Sequence, residues 1–450
     1  MKTKIIVSNV LLALFMILTG CETEDPKDEG LSKLVEQKAF SHTKKYDAVV
    51  ATSWYNLLTG ITRKTPYNPP QTARIFAYTG LALYESVVPG MPSHQSVFEQ
   101  FSGNAIAFEK KKDYFWPACA NAALARIATK MFGNYPQNPD LASVQQLESD
   151  LNETFKAFTT DEQLAFSNEF GRYVADMIYD WSKTDGTLKL DGTLAACPPY
   201  TPLGNPGNWV PTPPLFFPAT GACQGSLRTF LPNIVDATLP PAPPVYSVDS
   251  SSDFYKMNYE IYQISLNLSD KDKVICQAWR DILGTNYNTP AHMLKLTTEI
   301  VAIENTDLEN ASVIYAKQGI AVFDAIASSF NAKFHYSLLR PVTFIKSQIA
   351  PNWNSLYPTP QHPSYSAVSP AAAAAAVAIL EEAFGKNYSF IDNTQATLYG
   401  TWDYTSFDEL LSDVGRSRTH SGLNFKISVD AGIVQGRSIG KKINEFGFKK

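Results

Sequence analysis

Hydrophobic residues recur at every third or fourth position over most of the chain, and few segments alternate apolar and polar residues. Such spacing puts the apolar side chains on one face of an α-helix. Between residues 312 and 334, for example, Ile320, Phe323 and Ala327 fall on a single stripe. The pattern predicts an all-α protein. Its long helices are expected at residues 73–88, 116–132, 164–181, 255–266, 312–334 and 371–384.

The segment at residues 371–384 opens with six alanines and is followed by Gly385. Alanines let neighbouring helices approach closely, which favours a buried helix, but they also occur in exposed helices because of their high helix propensity. Ser369 and Pro370 have the residue types of a helix cap and a first helical residue. Gly385 is a typical helix stop. The sequence therefore predicts a helix that begins at Pro370 and ends before Gly385.

A proline-rich stretch separates two helical halves. Prolines recur from Pro198 onward with glycines between them, and regular helix cannot continue through such a stretch. We expect two helical bundles, at residues 41–194 and 246–450, joined by an ordered loop at residues 195–245. Cys197 and Cys223 bracket part of this loop, so a disulfide between them is compatible with the sequence but not required by it.

The first residues have the features of an export signal. Lys2 and Lys4 precede an apolar run that is shorter than the roughly 20 residues of a membrane-spanning helix. The run ends in Leu-Thr-Gly-Cys at Cys21. We expect residues 1–20 to be a lipoprotein signal peptide, Cys21 to carry the lipid, and residues 21–40 to form a flexible tether. The alternative is an ordinary signal with an incidental cysteine. The expected location is the cell envelope, with a lipid anchor at the outer membrane or cell surface.

Composition narrows the class of partner. The net charge of −5 provides no basic surface for nucleic acid, so no nucleic-acid partner is expected. No cysteine pair has the spacing of a zinc finger, and the sequence establishes no metal ligand with certainty. A small anion or another small molecule remains as the expected ligand.

Three basic residues could bind such an anion. Lys333 and Arg340 are seven residues apart, so they would face the same side while a helix lasts, and Pro341 then ends or kinks that helix. Arg418 lies much later in the chain. If the three converged, they would form a cradle for a tetrahedral or trigonal oxyanion, because guanidinium groups match its oxygens. The alternative is that all three simply face water.

The order of these residues resembles the vanadium-dependent haloperoxidase and type-2 phosphatidic acid phosphatase superfamily. Lys333 followed by Arg340-Pro341 is similar to its first signature, and Ser417-Arg418 with Gly422 is similar to its third. Weaker similarity extends over nearly the whole chain, including residues 73–85, 209–214, 278–292 and 324–325. The resemblance implies two helical bundles of this type joined by the proline-rich loop.

The resemblance also implies an active site. Lys333, Arg340 and Arg418, joined by Ser364, would bind the oxyanion. In the peroxidases this anion is vanadate, which is therefore a possible cofactor, and hydrogen peroxide oxidises a halide there. In the phosphatases a histidine instead forms a phosphohistidine. Homodimers are common in the family, so a homodimer is a possible assembly.

Both histidines of the family site are missing here. Where Pro-Ser-Gly-His is expected, the chain has Ser364-Tyr365-Ser366 after a proline, and a second alignment loses the motif just before Ser366. Asn424 stands where the ligand histidine is expected. An amide has no basic nitrogen lone pair, so Asn424 can neither coordinate vanadate as imidazole does nor attack phosphorus.

Two other histidines could compensate. His420 precedes Asn424 by four residues, one turn on a helix, and His362 lies just before the second signature. They are predicted as substitute catalytic residues, with ordinary loop or surface histidines as the alternative. Three functions remain open. The chain is an altered peroxidase or phosphatase, a non-catalytic anion-binding protein, or a scaffold lipoprotein of the envelope.

Overall fold

The computed structural model describes residues 42–137, 139–189 and 191–450. The expected signal peptide, Cys21 and the tether lie outside the described residues. Within them the chain is almost entirely helical, which confirms the all-α class. One short antiparallel hairpin pairs β1 (Phe390–Asp392) with β2 (Trp402–Tyr404). No helix in the described part of the chain is both long and apolar enough to cross a membrane.

In the described residues before the linker, the first half has six α-helices. The second of them starts at a capping box, in which the Asn68 side chain accepts the Gln71 N–H and the Gln71 side chain accepts the Asn68 N–H. Buried Glu85 on the same helix accepts the N–H groups of Val97 and Phe98, both at 2.8 Å, and so holds the start of the next helix. The six helices are α1 (Val49–Lys64), α2 (Pro69–Val87), α3 (Phe98–Ser102), α4 (Trp116–Gly133), α5 (Ala142–Phe155) and α6 (Asp161–Ser182).

The linker and the second half supply the other helices of the described chain. They are α7 (Ile234–Ala237), α8 (Asp253–Ser265), α9 (Asp270–Ala278), α10 (Thr289–Ile303), α11 (Leu308–Tyr336), α12 (Pro341–Gln348), α13 (Val368–Phe384), α14 (Ala396–Tyr399), α15 (Phe407–His420) and α16 (Lys426–Glu445).

The six helices expected from hydrophobic periodicity are all present, with ends that differ by a few residues. The predicted start of α13 was wrong. Its cap is Ala367 and its first residue is Val368, so Ser369 and Pro370 lie inside the first turn. Proline is accepted there because the first N–H groups of a helix have no partner within it. The predicted stop is confirmed, since Gly385 follows Phe384 with φ of 96°.

The alanine run of α13 is buried, so the buried interpretation is confirmed over the exposed one. Each alanine from Ala371 to Ala376 is at most 1% exposed. On the facing helix α16, Gly432, Gly436 and Gly440 recur every fourth residue and meet this alanine face. A Cβ added at Gly436 would lie 2.1 Å from the carbonyl oxygen of Ala371. Small residues on both sides therefore let the two helix backbones nearly touch.

Helix α11 passes through the centre of the molecule and packs on α2, α13 and α16. Its contact with α2 uses a reciprocal pair of glycines. A Cβ at Gly80 would lie 2.6 Å from Tyr315 O, and one at Gly319 would lie 2.6 Å from Phe76 O. The largest hydrophobic cluster includes residues of both halves of the chain. The division of the chain into bundles at residues 41–194 and 246–450 stays a prediction. The hydrophobic cores of these two parts are continuous.

The proline-rich linker is held to the helices at several points. Cys197 and Cys223 form a disulfide, which the sequence had left open. Further along, the buried carboxylate of Asp324 on α11 accepts the N–H groups of Phe230 and Leu231 at 2.8 and 2.9 Å. The linker is therefore an ordered part of the fold, as expected.

Candidate functional site

Lys333 and Arg340 do not share a helix, so the spacing argument for their common direction was wrong. Helix α11 ends at Tyr336, where Ser337 takes a left-handed conformation with φ of 48°. Arg340 caps the following helix and Pro341 is its first residue. The break turns the chain, and both basic side chains still reach the same segment, residues 362–364.

Lys333 is fully buried near the end of α11. Its Nζ donates to the carbonyl oxygens of Pro363 at 3.0 Å and Ser364 at 3.3 Å. The side chain of Asn424 donates its amide N–H to Ser364 O at 2.9 Å and to Ser364 Oγ at 3.2 Å. Ser364 Oγ also lies 3.3 Å from Ser428 Oγ on α16. Ser364 is therefore the point where α11, the loop before α13 and the start of α16 meet.

Arg340 is also buried, and its guanidinium joins two loops that are distant in sequence. Nε donates to His362 O at 2.9 Å and Nη1 donates to Leu423 O at 2.8 Å. Nη2 lies 3.1 Å from His362 Nδ1. Because a guanidinium only donates hydrogen bonds, Nδ1 of His362 must be the acceptor in this contact.

Arg418 lies in the last turn of α15 and donates from Nη1 to the carbonyl oxygen of Trp279 at 3.2 Å. The Trp279 ring stacks on His292 with centroids 4.2 Å apart, and His292 Nε2 lies 2.7 Å from Asp392 Oδ2. This confirms the interpretation of His292 as a packing and hydrogen-bonding residue. The acceptor of Arg418 is thus held in place by a buried aromatic and polar group.

Sequence reasoning missed Asp281, which lies near Arg418. Burial raises the pKa of its carboxyl, while the positive charge of Arg418 and hydrogen bonds from Thr289 and Ser369 lower it in part. A single aspartate before a turn has no distinctive spacing, so only its place between residues 278 and 292, in the stretch that resembles the family, could have pointed to it. Asp281 is a negative group at the edge of the basic cluster.

Lys333, Arg340 and Arg418 together form what we call the cationic cluster. Burial, followed by the charges of Arg340 and Arg418, holds the pKa of Lys333 well below its usual range. Burial and Arg418 likewise lower the pKa of Arg340. Within the described residues, none of the three side chains forms an ion pair with a carboxylate. Buried positive charge without a partner is costly, and an anion would relieve it.

The side chains of Tyr365 and Ser366, which stand at altered family positions, are engaged in packing. Tyr365 OH donates to Pro241 O of the linker at 2.6 Å. Ser366 Oγ donates to Gln435 Oε1 on α16 at 2.8 Å and lies 3.1 Å from Ser329 Oγ on α11. Within the described residues, neither side chain forms a hydrogen bond to Lys333, Arg340 or Arg418.

The structure separates the two histidines that were predicted as substitutes. His362 borders the cluster, and burial together with the charges of Lys333 and Arg340 holds its pKa well below the usual range. His420 lies away from the cluster, where its Nε2 is 3.6 Å from Asp272 Oδ1. The expectation that His420 and Asn424 share a helix face was wrong, because α15 ends at His420. The catalytic roles of both histidines stay predictions.

Comparisons with known proteins agree with this fold. The family profile described as the VCPO second helical-bundle domain matches residues 313–449. Among solved structures, the chain is similar to a bacterial vanadium-dependent iodoperoxidase, with 24% identity and a TM-score of 0.80 over 89% of this chain and 96% of that chain. No curated protein matches the chain.

Two structures of bacterial vanadium-dependent chloroperoxidase are also similar. The holo form has 16% identity and a TM-score of 0.65, over 85% of this chain and 93% of that chain. The apo form has 15% identity and a TM-score of 0.66, over 85% of this chain and 94% of that chain. At these identities the likeness shows the fold. The fold and its basic cluster define a haloperoxidase-like helical protein. The profile match assigns residues 313–449 to the family of the VCPO second helical-bundle domain, and the structural likeness over the rest of the chain supports the vanadium haloperoxidase superfamily.

The residues present do not fit a vanadium–nitrogen bond of the family type. Asn424 turns its amide N–H groups toward Ser364, and an amide nitrogen has no lone pair to offer. His362 Nδ1 lies 3.1 Å from Arg340 Nη2 and 3.3 Å from Pro363 O, so this ring nitrogen is already engaged by protein atoms. Among the described residues, no group of three or more His, Cys, Asp or Glu side chains could hold a metal ion. What the site retains is positive charge.

Proposed function

We propose that this protein binds a small oxyanion, such as vanadate or phosphate, at the cationic cluster and does not oxidise halides. It is in this view a superfamily member that keeps the anion-attracting part of the site without peroxidase turnover. We further propose that it is exported and lipid-anchored through Cys21 at the cell envelope, because the first residues have the pattern of a lipoprotein signal.

The observation that carries the proposal is the burial of three basic side chains that form no salt bridge among the described residues, with Asp281 near Arg418 as the one carboxyl that interacts with them. Their donors are only partly used. Arg418 donates to a single described acceptor, Trp279 O, although a guanidinium has five N–H groups. Charge-assisted hydrogen bonds to an oxyanion would use the remaining groups and offset the mutual repulsion of the cations.

The absence of turnover follows from the nitrogen atoms near the cluster. In the chemistry that the resemblance implies, the acid–base group and the vanadate ligand or nucleophile are imidazole nitrogens, which must have the correct protonation state and position. His362 is the described histidine that borders the cluster, and Arg340 binds both its Nδ1 and its carbonyl oxygen. The ring is therefore fixed by Arg340, and burial with the neighbouring cations lowers its pKa, which favours the neutral form.

The experiment is a calorimetric titration of the mature protein with vanadate and with phosphate. Arg418→Ala is expected to weaken binding at least about tenfold, which corresponds to the loss of one charge-assisted contact of roughly 1.5–3 kcal/mol. Arg416→Ala is the matched control. It removes an arginine from the same helix that pairs with Asp272 outside the cluster, and it should leave the affinity unchanged.

Halide oxidation is then measured with hydrogen peroxide and iodide, in the presence of vanadate. We expect no turnover above the rate of free vanadate. Turnover that disappears in Arg418→Ala would contradict the non-catalytic part of the proposal, and His362→Ala would be the next variant to test. Hydrolysis of a phosphoester would indicate a divergent phosphatase. If wild type and Arg418→Ala bind vanadate and phosphate with equal affinity, or do not bind them at all, the proposed anion site is wrong. A scaffold role would then be favoured.

A further inference from the structure

A segment of the linker presents apolar side chains to solvent. The five consecutive residues from Pro214 to Pro218 are exposed, and we call them the apolar tip. Leu215, Phe216 and Phe217 are 65%, 61% and 48% exposed. Single exposed hydrophobic residues are common on soluble proteins, but contiguous large ones indicate a surface that interacts with another apolar phase.

The apolar tip is held in place by the body of the protein. On one side, Thr212 Oγ1 lies 2.6 Å from Thr359 Oγ1. On the other, the N–H of Thr220 donates to Gln361 O at 2.8 Å. Across the base of the tip, the N–H of Phe216 donates to Thr212 O at 3.0 Å. The apolar side chains are therefore kept exposed by a fixed backbone and are not free to fold back onto the core.

The sequence around the tip has no charged residue. From residue 192 to residue 227 there is no Asp, Glu, Lys, Arg or His. Lipid insertion of this segment would therefore not require the costly transfer of a charge out of water. A protein partner would need a cavity shaped for a run of exposed side chains and would usually add a polar rim. A fluid lipid phase needs neither.

The position of the tip is compatible with a membrane that also holds the predicted lipid on Cys21. The described chain begins beside the start of α11, where the backbones of Asp47 and Asp307 form an isolated antiparallel β-bridge. The tip is anchored to residues 359–361, close to the other end of this helix. These ends are roughly 40 Å apart at 1.5 Å per residue. A chain the length of residues 22–41 can reach roughly 65 Å when extended. The lipid predicted on Cys21 and the apolar tip can therefore reach the same membrane surface.

We propose that the apolar tip inserts into the interfacial region of a lipid bilayer and forms a second membrane contact. The end of the protein that carries the cationic cluster would then be held at the lipid surface. A single lipid chain binds membranes only marginally, and a second contact makes binding stable. The proposal does not depend on anion binding at the cluster.

The test uses the mature chain from residue 21 with Cys21→Ser, so that no lipid is attached. Its partitioning onto sedimenting vesicles is measured, with phosphatidylcholine alone and with phosphatidylethanolamine and phosphatidylglycerol in equal parts. Replacement of Leu215, Phe216 and Phe217 together by serine should reduce partitioning at least about tenfold. Val434→Ser is the matched control, because Val434 is 69% exposed on α16, and it should have no effect.

Two further readouts decide the outcome. Phe216→Trp should show a blue-shifted emission when vesicles are added, and added salt should not release the protein, because the interaction is apolar. Vesicle binding that is absent, or equal in the triple variant and wild type, would overturn the proposal. If the triple variant instead abolishes self-association in sedimentation velocity while vesicles have no effect, the tip is an interface between two copies.

Discussion

The close contact between α13 and α16 leads to a prediction about Gly436. In Gly436→Ala, the new Cβ would lie 2.1 Å from Ala371 O and 2.9 Å from both Ala374 Cβ and Ala375 N. Non-bonded atoms need about 3.5 Å, so the helices must separate by roughly 1 Å. The main obstacle is a backbone carbonyl, which cannot rotate away as a side chain could.

The expected magnitude is the difference between two effects. Overpacking of a tight core costs about 1–3 kcal/mol, and this contact belongs at the upper end or beyond it. The change from glycine to alanine within a helix returns about 1 kcal/mol. We therefore expect Gly436→Ala to lower the free energy of unfolding by about 2 kcal/mol or more.

Gly60→Ala is the matched control. Gly60 lies within α1, and nothing lies within 4 Å of a Cβ built there. This variant should gain about 0.5–1 kcal/mol from helix propensity alone. Both variants are compared by urea denaturation, using the change in midpoint at constant slope. If Gly436→Ala proves as stable as Gly60→Ala, the two helices are not packed as tightly as described, and the reasoning fails.

Three further predictions concern charge and the linker. Sulfate binding at the cationic cluster should take up protons and strengthen as pH falls, because the anion raises the lowered pKa values of Lys333 and His362. Calorimetry in two buffers measures the uptake, and Lys333→Met should reduce the buffer dependence. Burial raises the pKa of Glu85 to about 7, so its contribution to stability is present in acid and is lost as pH rises from the ordinary carboxyl range through 7. Between pH 4 and 8, the free energy of unfolding of Glu85→Gln should therefore rise by on the order of 3 kcal/mol relative to that of wild type. Parallel pH profiles of the two unfolding free energies would contradict this. Replacing Cys197 and Cys223 by alanine opens a loop with a sequence separation of 26, which should cost about 3 kcal/mol and make the linker cleavable by protease.

The helices could be predicted because burial imposes a period that remains visible in a single sequence. Residues 312–334 and 371–384 were found in this way, and the start of the second helix shifted because its cap, Ala367, carries no distinctive side chain. The proline-rich linker was equally visible from its composition. Its fixed position was not, since it depends on carboxylates such as Asp324 that come from the other half of the chain.

The site was predicted by resemblance more than by physical spacing. Lys333 and Arg340 reach the same segment, but across a helix break at Ser337, whereas the spacing argument let the helix continue to Pro341. The sequence could not show that His362 and not His420 borders the cluster. That distinction depends on where α15 ends, and no sequence signal marks this end. Asp281 was missed because a lone carboxylate becomes informative only when its neighbours in space are known.

Arg340 has a consequence for the order of folding. Its guanidinium bonds to His362 and Leu423, which are 22 and 83 residues away along the chain. Such distant contacts cannot form until the intervening segments have already found their places, and closing large loops slows that step. We therefore expect the cationic cluster to assemble late, after α13 and α15 have docked. The proposed anion affinity would then be acquired only after the C-terminal helices have folded onto the rest of the protein.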